Sequence, residues 1–188
     1  MRVLIISSLF LICWSNSSAQ VSFGVKFGGN VNGLLDRTSG SLVYSANKEE
    51  LSYGSGFHVG FYSRFSKGKL SFIPEIQYSK RNISNSSYNL IELPLLLNYR
   101  ISKFIEIDGG GSIDYLFSSF PFEKEINLGV LGGLRLNISR SISILTRYSY
   151  GLTSMRDLDY TVLSPPSNTT NLKSYWRMFQ IGIAYRIK

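Results

Sequence analysis

The sequence has one cysteine, one histidine and five prolines in 188 residues. Each scarcity excludes something. Cys13 lies in the N-terminal segment, so removal of that segment leaves no disulfide, thiolate metal site or cysteine nucleophile. His58 has no second His or Cys at a metal-ligand spacing, and no Gly-x-Ser-x-Gly motif accompanies it. Both facts argue against metal-assisted hydrolysis and against Ser/His/Asp catalysis. Beyond the first residues no apolar run approaches the ~18 residues of a spanning helix, so integral contact with a bilayer requires a closed barrel. Acids are fewer than bases, 12 against 20, for a net charge of +8. The bases are scattered over strand faces, turns and loops rather than gathered on one aromatic-studded face, which excludes a nucleic-acid groove. The glycine groups Gly28-Gly29 and Gly109-Gly110-Gly111 precede no helical pattern and are not phosphate loops.

What is present suits an all-β chain: hydrophobic residues make up 44%, with 12 Tyr, 12 Phe and 17 Gly. Residues 1–19 read as a signal peptide, with Arg2 as the positive region, an apolar stretch over 3–14, and Ser17-Ser18-Ala19 before cleavage at Gln20. A lipoprotein alternative would use Cys13, but Ile12 stands where a small residue is needed. Residues 20–188 then form one domain.

Period-2 alternation marks eight strands, over residues 21–30, 56–65, 70–79, 91–100, 104–115, 125–136, 142–152 and 176–187. In the third, Leu70, Phe72, Ile76 and Tyr78 share a face, and only Ile73 is out of place. In the fourth, Ile91, Leu93, Leu95, Leu97 and Tyr99 oppose Glu92, Pro94, Leu96 and Asn98; in the seventh, Leu145 is the exception. Residues 31–54 and 153–174 read as long loops, 80–88 and 116–124 as medium ones, and 66–69, 101–103 and 137–141 as tight turns. Connections alternate in length, as in an up-and-down barrel with tight turns on one rim and outside loops on the other.

The apolar face of every strand carries no charge. The opposite faces collect Lys26, His58, Arg64, Glu75, Glu92, Glu106, Asp108, Asp114, Glu125, Arg135, Arg147 and Arg186. A soluble lipocalin-like barrel shows the reverse. The expectation is therefore an all-β, eight-stranded antiparallel up-and-down transmembrane β-barrel, apolar outward.

The run Pro74-Glu75-Ile76-Gln77-Tyr78-Ser79-Lys80, with Ile91-Glu92-Leu93-Pro94-Leu95-Leu96-Leu97 and Arg147-Tyr148-Ser149-Tyr150-Gly151-Leu152, resembles the signature of the PorT-like outer-membrane β-barrel family. The resemblance spans essentially the whole chain after the leader. It implies integral location in the outer membrane of a Bacteroidota-type Gram-negative bacterium, with periplasmic termini. It also implies dealings with outer-membrane lipid, the barrel-assembly machinery and, by analogy with the namesake, periplasmic or secretion-system proteins. The family usually ends on an aromatic residue, whereas this sequence ends Tyr185-Arg186-Ile187-Lys188.

The candidate site is a polar network in the lumen: Glu75, Glu92, Glu106, Asp108, Arg135 and Arg147. A structural ion-pair lattice is the plainer reading, and a proton path or small-ligand site the sharper one. No cofactor or metal is expected. Pro74 and Pro94 interrupt two neighbouring strands and are expected at bulges near the lumen acids. Function is expected to be non-enzymatic binding through residues 31–54 and 153–174, the alternatives being a secretion component docking through Lys67, Lys69, Lys103 and Arg140, or an outer-membrane hydrolase using His58.

Overall fold

The computed structural model describes residues 20–40, 48–83, 86–117, 125–162 and 168–187; the expected signal peptide lies outside the described residues. Nine strand segments run β1 (Gln20–Gly40), β2 (Lys48–Lys67), β3 (Leu70–Ile83), β4 (Ser86–Arg100), β5 (Ile105–Phe117), β6 (Ile126–Asn137), β7 (Ile142–Gly151), β8 (Arg156–Val162) and β9 (Asn168–Arg186). Each pairs antiparallel with its neighbours, and β1 closes the sheet on β9 from Gly24↔Arg186 to Gly40↔Thr170. β7 and β8 occupy one position in this wall. β7 pairs with the lower part of β9 (Ile142↔Tyr185 to Tyr150↔Arg177) and β8 with the upper part (Arg156↔Ser174 to Val162↔Asn168). The result is a closed barrel of eight staves, the seventh broken at residues 152–155. At this break Leu152 N–H bonds the Leu128 carbonyl at 2.8 Å, Met155 N–H bonds the Ser174 carbonyl at 2.8 Å, and the Met155 side chain enters the interior.

Alternation drives the two faces apart. Exposed positions include Phe23 and Phe27 on β1, Phe57 and Phe61 on β2, Leu93, Leu95 and Leu97 on β4, and Ile181 and Ile183 on β9. Buried positions are mostly polar or charged. The exposed apolar residues of β1 run from Val21 to Val31. At ~3.3 Å per residue and a tilt of about 40°, such a span rises roughly 28 Å. That height matches the apolar band of a membrane barrel, about 25 Å.

One rim has tight turns. Gly68, at φ 61°, takes the left-handed conformation that a two-residue hairpin turn requires. The β4–β5 and β6–β7 turns share a construction: Ser102 Oγ accepts from the N–H groups of Phe104 and Ile105, and Ser139 Oγ accepts from those of Ser141 and Ile142. On the other rim the strands continue well past the apolar band. Residues 31–40 and 48–54, expected as loop, are paired strand from Val31↔Ser55 to Thr38↔Lys48. The expected loop over 80–88 is likewise hairpin, Lys80↔Asn89 to Ile83↔Ser86, and much of 153–174 is the β8–β9 hairpin. The physical reason is common to all three. Above the apolar band the outward positions turn polar, as at Lys80, Asn82 and Ser87, while the buried inward positions mix polar Asn32 and Arg81 with apolar Leu34, Ile83 and Tyr88, so the ladder persists but the apolar-outward alternation that announces it disappears.

The prolines are not at bulges. β2 and β3 pair at Tyr62↔Glu75 and again at Phe65↔Phe72, and β3 and β4 at Pro74↔Leu95 and again at Gln77↔Glu92. Register is unchanged across each gap, so no residue is inserted. Pro74 lies in one gap and Pro94 in the other, where a missing N–H removes a ladder donor. The shared distortion thus exists beside Glu75, as unpaired wall rather than as a bulge.

Candidate functional site

The lumen is filled by side chains in layers. At the long-hairpin end an apolar plug of Leu34, Ile83, Tyr88, Leu90, Leu116, Met155 and Trp176 closes it. Tyr88 meets Trp176 edge-on at 5.3 Å, and the Arg81 guanidinium lies 5.0 Å over the indole. Nearer the turn end a second apolar layer gathers Tyr62, Ile73, Leu96, Leu145 and Ala184. Ile73, Leu96 and Leu145 are the apolar residues that stood on the polar faces of their strands in the sequence. They violate the alternation because the interior itself contains an apolar storey.

Between and below these layers sit the charges, in three nodes. At the centre, Arg147 donates to both Glu75 carboxylate oxygens, at 2.7 and 2.9 Å, and to Asp108 at 3.2 Å. Lys26 closes the same node on Glu75. Towards the long-hairpin end, Glu92 accepts from Gln77 and from Arg81, both at 2.6 Å, and Arg81 lies 3.5 Å from Asp114. At the turn end, Glu106 accepts from Arg64 at 2.9 Å and Asn137 at 3.1 Å, with Arg100 at 3.4 Å. Arg135 approaches the same carboxylate at 3.9 Å while its guanidinium lies 5.3 Å from the Tyr62 ring centre.

All six sequence-picked residues are therefore buried, but they are not one cluster. Glu75, Asp108 and Arg147 meet; Glu106 and Arg135 form a second group; Glu92 belongs to a third. Two corrections apply to the wider inward set: Glu125 is exposed and Arg186 only half-buried. Arg81 was missed because residues 80–88 read as loop, although it is 1% exposed and holds two acids. Its only sequence signal is continuity with β3, since Lys80 and Asn82 beside it are polar too.

Buried cations Lys26, Arg64, Arg81, Arg135 and Arg147 equal in number the buried anions Glu75, Glu92, Glu106, Asp108 and Asp114. Among the described residues the lumen charges balance, and every buried acid has a cation within 4 Å. Such compensation is what keeps charges tolerable in a low-dielectric interior. His58 is 3% exposed, packed where a Cβ on Gly28 or Gly182 would come within 2.9 and 3.1 Å of its ring. Among the described residues no group of His, Cys, Asp and Glu could hold a metal ion.

No protein-family model matches the sequence, and no curated protein matches it. Among solved structures the chain is similar to the attachment invasion locus protein Ail of Yersinia pestis, at 15% identity over 86% of this chain and 98% of that one, with a TM-score of 0.41. It is similar to Neisserial surface protein A at 14% identity over 88% and 98% of the two chains, TM-score 0.42. A de novo designed transmembrane β-barrel matches at 14% identity over 85% and 97%, TM-score 0.42. At these scores the likeness adds nothing to the strand pairing and side-chain distribution, on which the fold rests.

Proposed function

We propose that this protein is a non-enzymatic, integral outer-membrane barrel that works as a binding module on the cell surface. The observation that carries the reading is one-sided overrun. β1, β2 and β9 are 21, 20 and 19 residues long. At ~3.3 Å per residue and a tilt of about 40°, β1 rises roughly 53 Å, some 25 Å beyond its apolar band. The overrun falls wholly on the rim away from the tight turns. There β2, β1, β9 and β8 continue as a projecting four-stranded sheet, and β8 pairs only with β9 among the described residues. An unpaired strand edge offers a row of backbone donors and acceptors to another chain. The filled lumen and apolar plug oppose a diffusion-pore role.

The test compares cells bearing the full-length protein with cells bearing a deletion of residues 156–172. Both proteins should show heat-modifiable migration on unboiled gels, the mark of a closed barrel, and the deletion should abolish attachment to surfaces or neighbouring cells. Equal attachment overturns the reading.

A second reading, a PorT-like component of a secretion assembly, is supported by the hairpin motifs around Pro74 and Pro94 and by the basic residues of the tight-turn rim. Under it, charge reversal at Lys67 and Lys69 weakens co-purification with periplasmic proteins, and loss of the protein blocks cargo export. Unchanged export rejects it.

A further inference from the structure

The rim that bears the tight turns holds a cavity of about 390 Å³, lined by Arg100, Lys103, Phe104, Glu106, Asn137, Ile138, Ser139, Arg140 and Arg186. Its charge is lopsided. Four cations border it against one carboxylate, and Glu106 is already engaged by Arg64, Asn137 and Arg100. Lys103, Arg140 and Arg186 form no ion pair among the described residues. The Arg186 Nε is buried without a hydrogen-bond partner there.

Two further features make this a built site. The β4–β5 and β6–β7 turns have the same design: Ile-Ser-cation, with the serine hydroxyl accepting the N–H groups two and three residues on. Each therefore displays its cation, Lys103 or Arg140, from a backbone fixed by its own serine, which lowers the entropy cost of holding an anion. Exposed apolar side chains also border the cavity, Phe104 at 68% and Ile138 at 64%. A free anion has no use for them. A molecule with a phosphate next to acyl chains does.

We propose that this cavity binds the headgroup of one anionic phospholipid of the leaflet facing the tight turns, with phosphate on Lys103, Arg140 and Arg186 and the first acyl carbons on Phe104 and Ile138. The inference rests on the membrane reading given above. Lys67 and Lys69 stand on the neighbouring β2–β3 turn outside the cavity, and they separate a defined site from general attraction of a basic rim to anionic lipid.

The experiment uses the full chain after leader cleavage in zwitterionic detergent, probed with dihexanoyl phosphatidylglycerol, dihexanoyl phosphatidylcholine and inorganic phosphate, with retention read by native mass spectrometry. Wild type should retain phosphatidylglycerol roughly 30- to 140-fold over phosphatidylcholine, the order expected for two or three surface cations. Lys103→Ala/Arg140→Ala should erase the preference, whereas Lys67→Ala/Lys69→Ala should keep it. Phe104→Ser/Ile138→Ser should weaken phosphatidylglycerol and leave phosphate unchanged. Equal retention of the two lipids, equal loss in both lysine-containing variants, or phosphate held as well as phosphatidylglycerol overturns the proposal. Absence of heat-modifiable migration in wild type overturns the barrel reading instead, so the two failures are distinct.

Discussion

Glu75→Gln removes the charge on which two buried cations converge. The Glu75 side chain is 0% exposed, and those of Lys26 and Arg147 are 1% and 2% exposed. Among the described residues the wild-type lumen balances five cations with five anions; the variant holds five and four, and of these anions Arg147 keeps Asp108 at 3.2 Å. Breaking a buried pair by neutralising one partner costs about 3–5 kcal/mol. Lys26→Met added to Glu75→Gln restores the balance, and replacing a buried pair by apolar volume is often close to neutral. The double variant should therefore lie within about 1–2 kcal/mol of wild type, a coupling of at least ~2 kcal/mol. Urea titration of the refolded barrel in micelles gives the free energies by linear extrapolation. Trp176, the sole tryptophan of residues 20–188, reports the transition from inside the plug. A cost below about 1 kcal/mol for Glu75→Gln, or strict additivity in the double variant, refutes the view that cross-lumen charges hold this interior together.

Three further outcomes follow from the geometry. Arg81→Met leaves Glu92 and Asp114, register partners on adjacent strands, facing each other without their shared cation. It should cost about 3–5 kcal/mol in the same titration and shift Trp176 emission. Leu95→Arg puts a charge in the middle of the β4 apolar face, where Leu95 is 49% exposed. It should lower stability by about 2–4 kcal/mol and reduce folding into vesicles, whereas a soluble barrel would tolerate it. A Cβ at Gly28 would lie 2.1 Å from the Ile181 carbonyl oxygen across the closing β1–β9 seam, while at Gly29 the nearest atom is 3.8 Å away. Gly28→Val should abolish heat-modifiable migration, and Gly29→Ala should retain it.

The wall of this barrel was legible wherever its two sides meet different surroundings. On β5, exposed Ile105, Ile107, Ile113 and Tyr115 alternate with buried Glu106, Asp108, Ser112 and Asp114 because lipid-facing and lumen-facing chemistry are opposite. Ladders above the band were invisible in the sequence: Asn32, Gly33 and Tyr53, Gly54 belong to one hairpin, yet their composition is that of a loop. Most acids and bases of the interior were legible, since each lies opposite an uncharged face; Arg81, in a stretch with the composition of a loop, was not. Their partnerships were not. Arg147 and Glu75 are 72 residues apart and meet only because β3 and β7 face across the lumen. Local periodicity carries the face of a residue, and closure of the sheet decides whom it touches.

The unpaired stretch beside Pro74 sets where the barrel's strength resides. Backbone pairing lapses at Ser63 and Arg64 on one side of β3 and at Leu93 and Pro94 on the other. A shallow lipid-side cavity of about 350 Å³, lined by Phe23, Phe61, Ser63, Pro74 and Ile76 among others, opens there. Glu75 sits at that spot and reaches across to Arg147 and Lys26. Glu75 thus works as the end of a tie-rod, anchoring to β1 and β7 a length of wall that its own ladder leaves unstitched.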